Sequence, residues 1–343
     1  MYVCPPVRQF RRSAVAAPHT EDIKAENRKP INLFFLGSGA IALPTLAALH
    51  NAPDIDVIGC TTQPDRPVGR KRQLAPTPVG AWCAEHGLDI LKPDSVNKPE
   101  FLNGLSGLSI DFILVFSFGQ ILKSDLLNLP RRECLNIHAS LLPRYRGASP
   151  IQGAILGNEE KTGISFMRVV AALDAGPVFD RRELKLTGTE TAASLEEQLA
   201  QLAAGSVCNV IYRIDDGLLS AVPQPDAEAT YAGKISKGDG QIDWQRPAEE
   251  IDRLIRAFNP WPGAWFILDA GRKARRITVT QGKVTPGNTA TPGTVVQADK
   301  HVWRVQCGRD QYQILKLIPA GKPEMPGPEF LRGCQLQPGL DRL

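Results

Sequence analysis

Ile31-Asn-Leu-Phe-Phe-Leu36-Gly37-Ser-Gly39-Ala-Ile-Ala42 opens on a short apolar run and closes on two glycines one residue apart. Such a run reads as a buried strand, the glycines as a tight turn, and the following segment 44–49 as a helix start. That is the opening unit of an α/β sheet. The same spacing resembles the dinucleotide fingerprint G-x-G-x-x-G/A, which needs an acidic residue at the end of the next strand to grip a ribose. Cys60-Thr-Thr-Gln63 stands in that place, so Gly37 and Gly39 are read as turn glycines.

Working outward, 56–61 and 111–116 have the composition of buried strands, and 78–86 and 98–105 that of helices between them. This βαβ rhythm predicts a doubly wound parallel α/β sheet, which binds ligands at the carboxyl ends of its strands. The composition shifts to Pro, Gly, Asp and Ala over 217–240. Beyond it, 265–268, 277–280, 302–307 and 313–317 read as short strands punctuated by Gly and Pro, the pattern of a small β-barrel. The predicted organisation is an extension over 1–30, a catalytic domain over 31–216, a linker over 217–240 and a β-barrel over 241–343.

A length of 343 residues suits two domains of roughly 150 residues each. The formal charge is only +4, from 40 Lys and Arg against 36 Asp and Glu, which excludes a surface that coats nucleic acid everywhere. Any nucleic-acid contact is therefore expected from a local patch. Cys4, Cys60, Cys83, Cys134, Cys208, Cys307 and Cys334 are odd in number and form no C-x-x-C pair, so neither a disulfide framework nor a zinc site is expected. No metal is expected elsewhere.

No apolar run reaches the ~20 residues of a membrane span, and no secretory signal is visible. A cytoplasmic, monomeric protein without membrane contact is the expectation. Arg8, Arg11 and Arg12 precede Glu21, Asp22 and Glu26 without apolar periodicity, so 1–30 reads as a disordered extension. The alternative is a transit peptide, which would place the protein in an organellar matrix.

Asn136-Ile-His138-Ala-Ser140-Leu141-Leu142-Pro143 follows an apolar segment. In an extended strand, residues two apart emerge on one face, so Asn136 and His138 converge on one bound atom. An amide N–H holds a carbonyl oxygen as it gains negative charge, and an imidazole moves a proton near neutral pH. Leu173-Asp174-Ala-Gly176 adds a carboxylate in a glycine turn, placed to reach the same cleft and favour the imidazolium.

The run Asn136-Ile-His-Ala-Ser-Leu-Leu-Pro-Arg-Tyr-Arg-Gly147 followed by Leu173-Asp-Ala-Gly176 resembles the folate-dependent formyltransferase family. The resemblance implies 10-formyltetrahydrofolate as donor, with Asn136 on the formyl oxygen, His138 handling protons and Asp174 ordering His138. It also implies a folate wall from Ser140, Leu141, Leu142 and Pro143 together with Phe118, Gly119 and Ile121. Two departures bear on that wall: Gly37-Ser-Gly-Ala replaces the family's usual Gly-Thr-Pro, and Phe116-Ser-Phe-Gly119 its usual Ala-Tyr-Gly.

The acceptor is decided by other segments. Arg66-Pro-Val-Gly-Arg70-Lys71-Arg72 carries four cations in seven positions directly after the second strand. It resembles the insertion that family members acting on initiator methionyl-tRNA press against the acceptor stem, which implies tRNA contacts at Arg66, Arg70, Lys71 and Arg72. Ile242-Asp-Trp244, Arg256-Ala-Phe-Asn259-Pro-Trp-Pro-Gly263, Pro319-Ala-Gly-Lys322 and Phe330-Leu-Arg-Gly333 are similar to the carboxyl-terminal domain of those members. That domain is expected to be a barrel of oligonucleotide-binding type in which Arg272, Lys273, Arg275 and Arg276 track the tRNA backbone. The expected activity is formylation of the methionine amine on initiator tRNA, in support of translation initiation. An amino-sugar formyltransferase would not need the Arg66–Arg72 patch, and a non-catalytic binding protein would not need the polar trio.

Overall fold

Residues 29–69, 72–269, 274–334 and 336–343 are described by the computed structural model. The expectations for 1–28 and for Arg70, Lys71, Arg272 and Lys273 lie outside the described residues.

The opening apolar run forms β1 (Ile31–Gly37), followed by α1 (Leu43–His50) and β2 (Ile55–Thr61). A small hairpin of β3 (Arg66–Val68) and β4 (Gln73–Ala75) precedes α2 (Pro78–His86), β5 (Ile90–Leu91), α3 (Pro99–Ser106) and β6 (Phe112–Phe116). Then come α4 (Ser124–Leu127), β7 (Glu133–His138), α5 (Pro150–Leu156), β8 (Lys161–Arg168), β9 (Val178–Lys185), α6 (Ala192–Ala204) and α7 (Val207–Asp215). The seven-stranded sheet has the order β5-β2-β1-β6-β7-β8-β9.

Leu33 and Phe35 enter one apolar cluster while Phe34 and Leu36 enter another, so β1 is covered on both faces. This is why it reads as an unbroken apolar run rather than an alternation. The strands β5, β2, β1, β6 and β7 are parallel, whereas β7 to β8 and β8 to β9 are antiparallel. The expected parallel sheet thus carries an antiparallel edge. Loop 169–177 is too short for the dozen or more residues of a parallel crossover, which makes β8 and β9 a hairpin.

The two glycines at the end of β1 serve the turn. A Cβ on Gly37 would stand 2.6 Å from the Phe35 ring, and one on Gly39 would overlap the Ser117 hydroxyl. Ser38 N–H and Gly39 N–H both donate to the Ser117 carbonyl, at 3.0 and 3.2 Å. The first glycine loop is therefore laced to the end of β6, at the point where strand order reverses.

The second unit begins with α8 (Ala248–Ala257) and continues as β10 (Ala264–Leu268), β11 (Arg275–Thr285), β12 (Val295–Ala298), β13 (Trp303–Gln306), β14 (Gln311–Pro319), β15 (Met325–Pro326) and α9 (Gly327–Leu331). Its strands form an antiparallel sheet in the order β10-β11-β14-β13-β12, with β15 paired to β14. Trp303, Tyr312 and Ile314 fill its core together with Ile251 and Ile255 of α8. The four strands read from sequence correspond to β10, β11, β13 and β14. β12 and the two-residue β15 lie outside those four segments, and β11 is far longer than 277–280, running on through two register shifts to Thr285 with Gly282 against the Tyr312 ring.

Segment 217–240 is stitched to the edge strand β9 and to the loop after β7 rather than spanning open space. Val222 pairs with Val178, and Tyr231 bridges to Arg146. Among the described residues, no helix is long and apolar enough to cross a membrane.

Candidate active site

β7 lies between β6, through Val115 opposite Asn136, and β8, through Ser165 opposite His138. Alternation along it sends Leu135 and Ile137 into the main core, and puts Asn136 and His138 together on the opposite face at the strand's carboxyl end. Asn136 is half-buried, and no protein group hydrogen-bonds its side chain among the described residues. His138 is buried, at 6 % exposure.

The chain after β7 folds back onto the histidine. Ser140 Oγ donates to the Arg144 carbonyl at 2.6 Å, and Ser165 Oγ donates to the Ser140 carbonyl at 2.7 Å while accepting from Leu142 N–H at 3.0 Å. This turn delivers the Tyr145 carbonyl to His138 Nε2 at 2.9 Å. A carbonyl oxygen only accepts, so Nε2 carries the hydrogen, and in the neutral ring Nδ1 keeps a lone pair.

Nδ1 faces Asp174. The separation to Asp174 Oδ2 is 3.7 Å, beyond a hydrogen bond but within ion-pair range. The expected contact is thus electrostatic, because the same Oδ2 accepts the Gly147 N–H at 2.8 Å. Asp174 has φ 48, a left-handed conformation that Asp tolerates better than most residues.

Of the residues assigned to a folate wall, Phe118, Ser140, Leu142 and Pro143 are buried. Ser140 is held by Arg144, Leu142 packs on Met167 and Val178, and Phe118 joins the cluster behind β6. Gly119 and Ile121 are exposed and Leu141 is half-buried.

Arg66 and Arg72 are exposed on the β3–β4 hairpin, which springs from the carboxyl end of β2. Arg66 Nη2 donates to Gln63 Oε1 at 3.4 Å, and Gln63 Nε2 donates to the Phe118 carbonyl at 3.2 Å. The basic hairpin and the loop after β6 therefore share one anchor.

Sequence reasoning missed Gln224, whose Nε2 donates to the carbonyls of Asp174 at 2.8 Å and Gly176 at 2.7 Å. Its one sequence signal is its place between Pro223 and Pro225, which holds the backbone extended. Arg146, quoted only as part of the motif, is a buried guanidinium bound to Gln224 and Asp226.

A parallel sheet with a histidine, a free amide and a carboxylate gathered at the carboxyl end of one strand has the layout of a group-transfer enzyme. Residues 31–211 match the family model described as formyl transferase, and residues 234–335 match that described as formyl transferase, C-terminal domain. The chain belongs to the formyl transferase family. The methionyl-tRNA formyltransferase of Geobacter metallireducens is 38% identical over 310 residues, covering 90% of this chain and 98% of that one. That of Methylococcus capsulatus is 40% identical over 306 residues, covering 89% and 98%. Among solved structures, HypX from Aquifex aeolicus in complex with tetrahydrofolic acid aligns at TM-score 0.57 and 15% identity over 90% of this chain and 48% of that one, a likeness of fold.

Proposed function

We propose that this chain transfers the formyl group of 10-formyltetrahydrofolate to the α-amino group of methionine on initiator methionyl-tRNA, supporting translation initiation. The observation that carries this is the extent of the likeness: methionyl-tRNA formyltransferases at 38% and 40% identity span both the catalytic segment and the carboxyl-terminal one.

The amine attacks the formyl carbon, and the Asn136 amide N–H holds the oxygen as it becomes an oxyanion. His138 Nδ1 takes the proton released by the attacking nitrogen, and Asp174 stabilises the imidazolium from 3.7 Å. As the bond from carbon to N10 breaks, His138 returns that proton to N10, which leaves tetrahydrofolate and formylmethionyl-tRNA. The open lone pair on Nδ1 and the unpartnered Asn136 amide support these roles. The folate is held by a wall of Ser140, Leu141, Leu142 and Pro143 together with Phe118, Gly119 and Ile121.

The basic residues Arg66, Arg70, Lys71 and Arg72 meet the acceptor-stem phosphates. The unit over 241–343 is read as a tRNA-binding domain of oligonucleotide-binding barrel type, supported by its antiparallel strands and the bend at the β11 register shifts. The catalytic domain is assigned to 31–216 and the connecting strap to 217–240. The protein acts as a cytoplasmic monomer.

The test is to mix purified protein with 10-formyltetrahydrofolate and methionyl initiator tRNA, and to follow formylmethionyl-tRNA by mass. Asn136→Ala and His138→Ala are each expected to slow the transfer by a factor on the order of 10² to 10⁴. Full activity in folded Asn136→Ala protein would sink the assigned role.

A further inference from the structure

Gln224 falls between the two matched segments, which end at residue 211 and resume at 234. It is 9% exposed and satisfied on every side. Both amide hydrogens go to loop 169–177, onto the Asp174 and Gly176 carbonyls, and its Oε1 accepts from Arg146 Nε at 3.1 Å. Arg146 itself is 3% exposed, and its Nη2 donates to Asp226 Oδ1 at 2.8 Å.

The same strap reaches the other side of the site. Arg146 N–H donates to the Thr230 carbonyl, Ala232 N–H donates to the Arg146 carbonyl, both at 2.8 Å, and Tyr145 N–H donates to Thr230 Oγ1 at 2.8 Å. Tyr145 supplies the carbonyl that fixes His138 Nε2, and Gly147 supplies the N–H that fixes the Asp174 carboxylate. Loops 143–149 and 169–177 therefore face each other through His138 and Asp174, and one segment, 222–232, holds both. An amide whose donor nitrogen reaches two carbonyls of one loop, two residues apart, while its acceptor reads the other loop's arginine, fixes their separation.

We propose that Gln224 is a positioning residue that sets the distance between the Asp174 carboxylate and the His138 imidazole, with Arg146 as its support. The proposal deepens the reading of the site given above and rests on it for the kinetic consequence. Gln224→Ala removes both donors, and Gln224→Glu puts an acceptor against two carbonyls, which pushes loop 169–177 away. A displacement of about 1 Å from a residue outside the chemistry can cost on the order of 10²-fold in rate.

Both variants are tested in the full chain by steady-state kinetics and by the NMR resonances of the His138 ring protons, assigned through His138→Gln. The ring's nitrogens face the Tyr145 carbonyl and the Asp174 carboxylate, so a receding carboxylate moves those resonances. We expect kcat to fall by roughly ten- to hundredfold, KM for both substrates to change less than about threefold, and the His138 ring resonances to move in both variants. In an Asp174→Asn background, Gln224→Ala should add little, since both act on one interaction.

Unchanged ring resonances with unchanged kcat, or a loss that simply adds to that of Asp174→Asn, overturn the proposal. If Gln224→Ala does not fold, Asp226→Asn, which weakens Arg146 from an exposed position, is expected to move the resonances more modestly, and no movement there counts against the strap. Absence of formyl transfer in the unmodified protein would overturn the assigned function instead, and the resonances would still decide the role of Gln224.

Discussion

His138 Nδ1 and Asp174 Oδ2 stand 3.7 Å apart, so the carboxylate acts on the imidazole by charge rather than by a hydrogen bond. Its hydrogen bond goes to Gly147 N–H instead. The two jobs are therefore separable by mutation. Asp174→Asn keeps an oxygen for Gly147 and removes only the charge, whereas Asp174→Ala also leaves a part-buried N–H unpaired. We expect Asp174→Asn to lower kcat roughly ten- to hundredfold at nearly unchanged melting temperature. Asp174→Ala should match or exceed that loss and cost a further ~1–3 kcal/mol of stability. Kinetics paired with thermal melts separate the two; equal stability of both variants would show that the Gly147 contact does not hold the loop.

What the sequence made legible was set by local rules. α2 was bounded correctly at 78–86 because Thr77 caps its first turn, Pro78 opens it and Gly87 ends it at φ 68. Asn136 and His138 were paired because strand alternation is a two-residue rule. Gln224 was invisible because its partners lie some fifty residues away and its neighbours read only as linker. Leu142 and Leu141 show the limit differently: adjacent identical residues in one loop, the first buried and the second half-buried, with nothing local to tell them apart.

The hairpin carrying Arg66 and Arg72 predicts a salt signature. Both side chains are exposed, and among the described residues Arg66 is tethered by one long contact, to Gln63. If each meets one phosphate, removing it releases about one fewer counterion on binding. Arg66→Ala should raise KM for methionyl-tRNA several-fold and reduce the slope of log KM against log salt by roughly 1. KM for 10-formyltetrahydrofolate should not move. An unchanged salt slope would remove the hairpin from the tRNA interface.

Glu190 couples pH to the stability of the catalytic unit. Burial opposes its charge, but hydrogen bonds from Thr187 N–H at 2.7 Å, Thr187 Oγ1 at 2.8 Å and Gly188 N–H at 3.0 Å outweigh it and lower its pKa below the ordinary 4.5. The unfolded chain then binds the proton more tightly than the folded one, so the carboxylate stabilises the fold above about pH 4.5. That contribution is lost as pH falls through the lower folded value. Glu190→Gln should be less stable at pH 7 than the unmodified protein, and the gap should close in acid. A constant gap across pH 3 to 7 in denaturant titrations would contradict this.

Beside it, Arg256 joins the two units. Its Nε donates to Asp252 Oδ2 at 2.7 Å and its Nη1 to the Glu190 carbonyl at 3.0 Å, so α8 of the second unit holds the turn that starts α6 of the first. Asp252 also accepts from Tyr312 at 3.1 Å, and burial, reinforced by that carboxylate, raises the phenol well above its usual pKa and keeps it a donor. Arg256→Met retains the apolar stem and removes the charge, leaving Asp252 with Tyr312 alone and the Glu190 carbonyl without its guanidinium. Losing hydrogen bonds from a charged donor should cost about 1.5–3 kcal/mol. Because the lost contact lies between units, calorimetry should show the single transition broadening or splitting, with the second unit melting first. A uniform fall in Tm with one sharp transition would mean that the packing of α5 against α8, and not Arg256, makes the units unfold together.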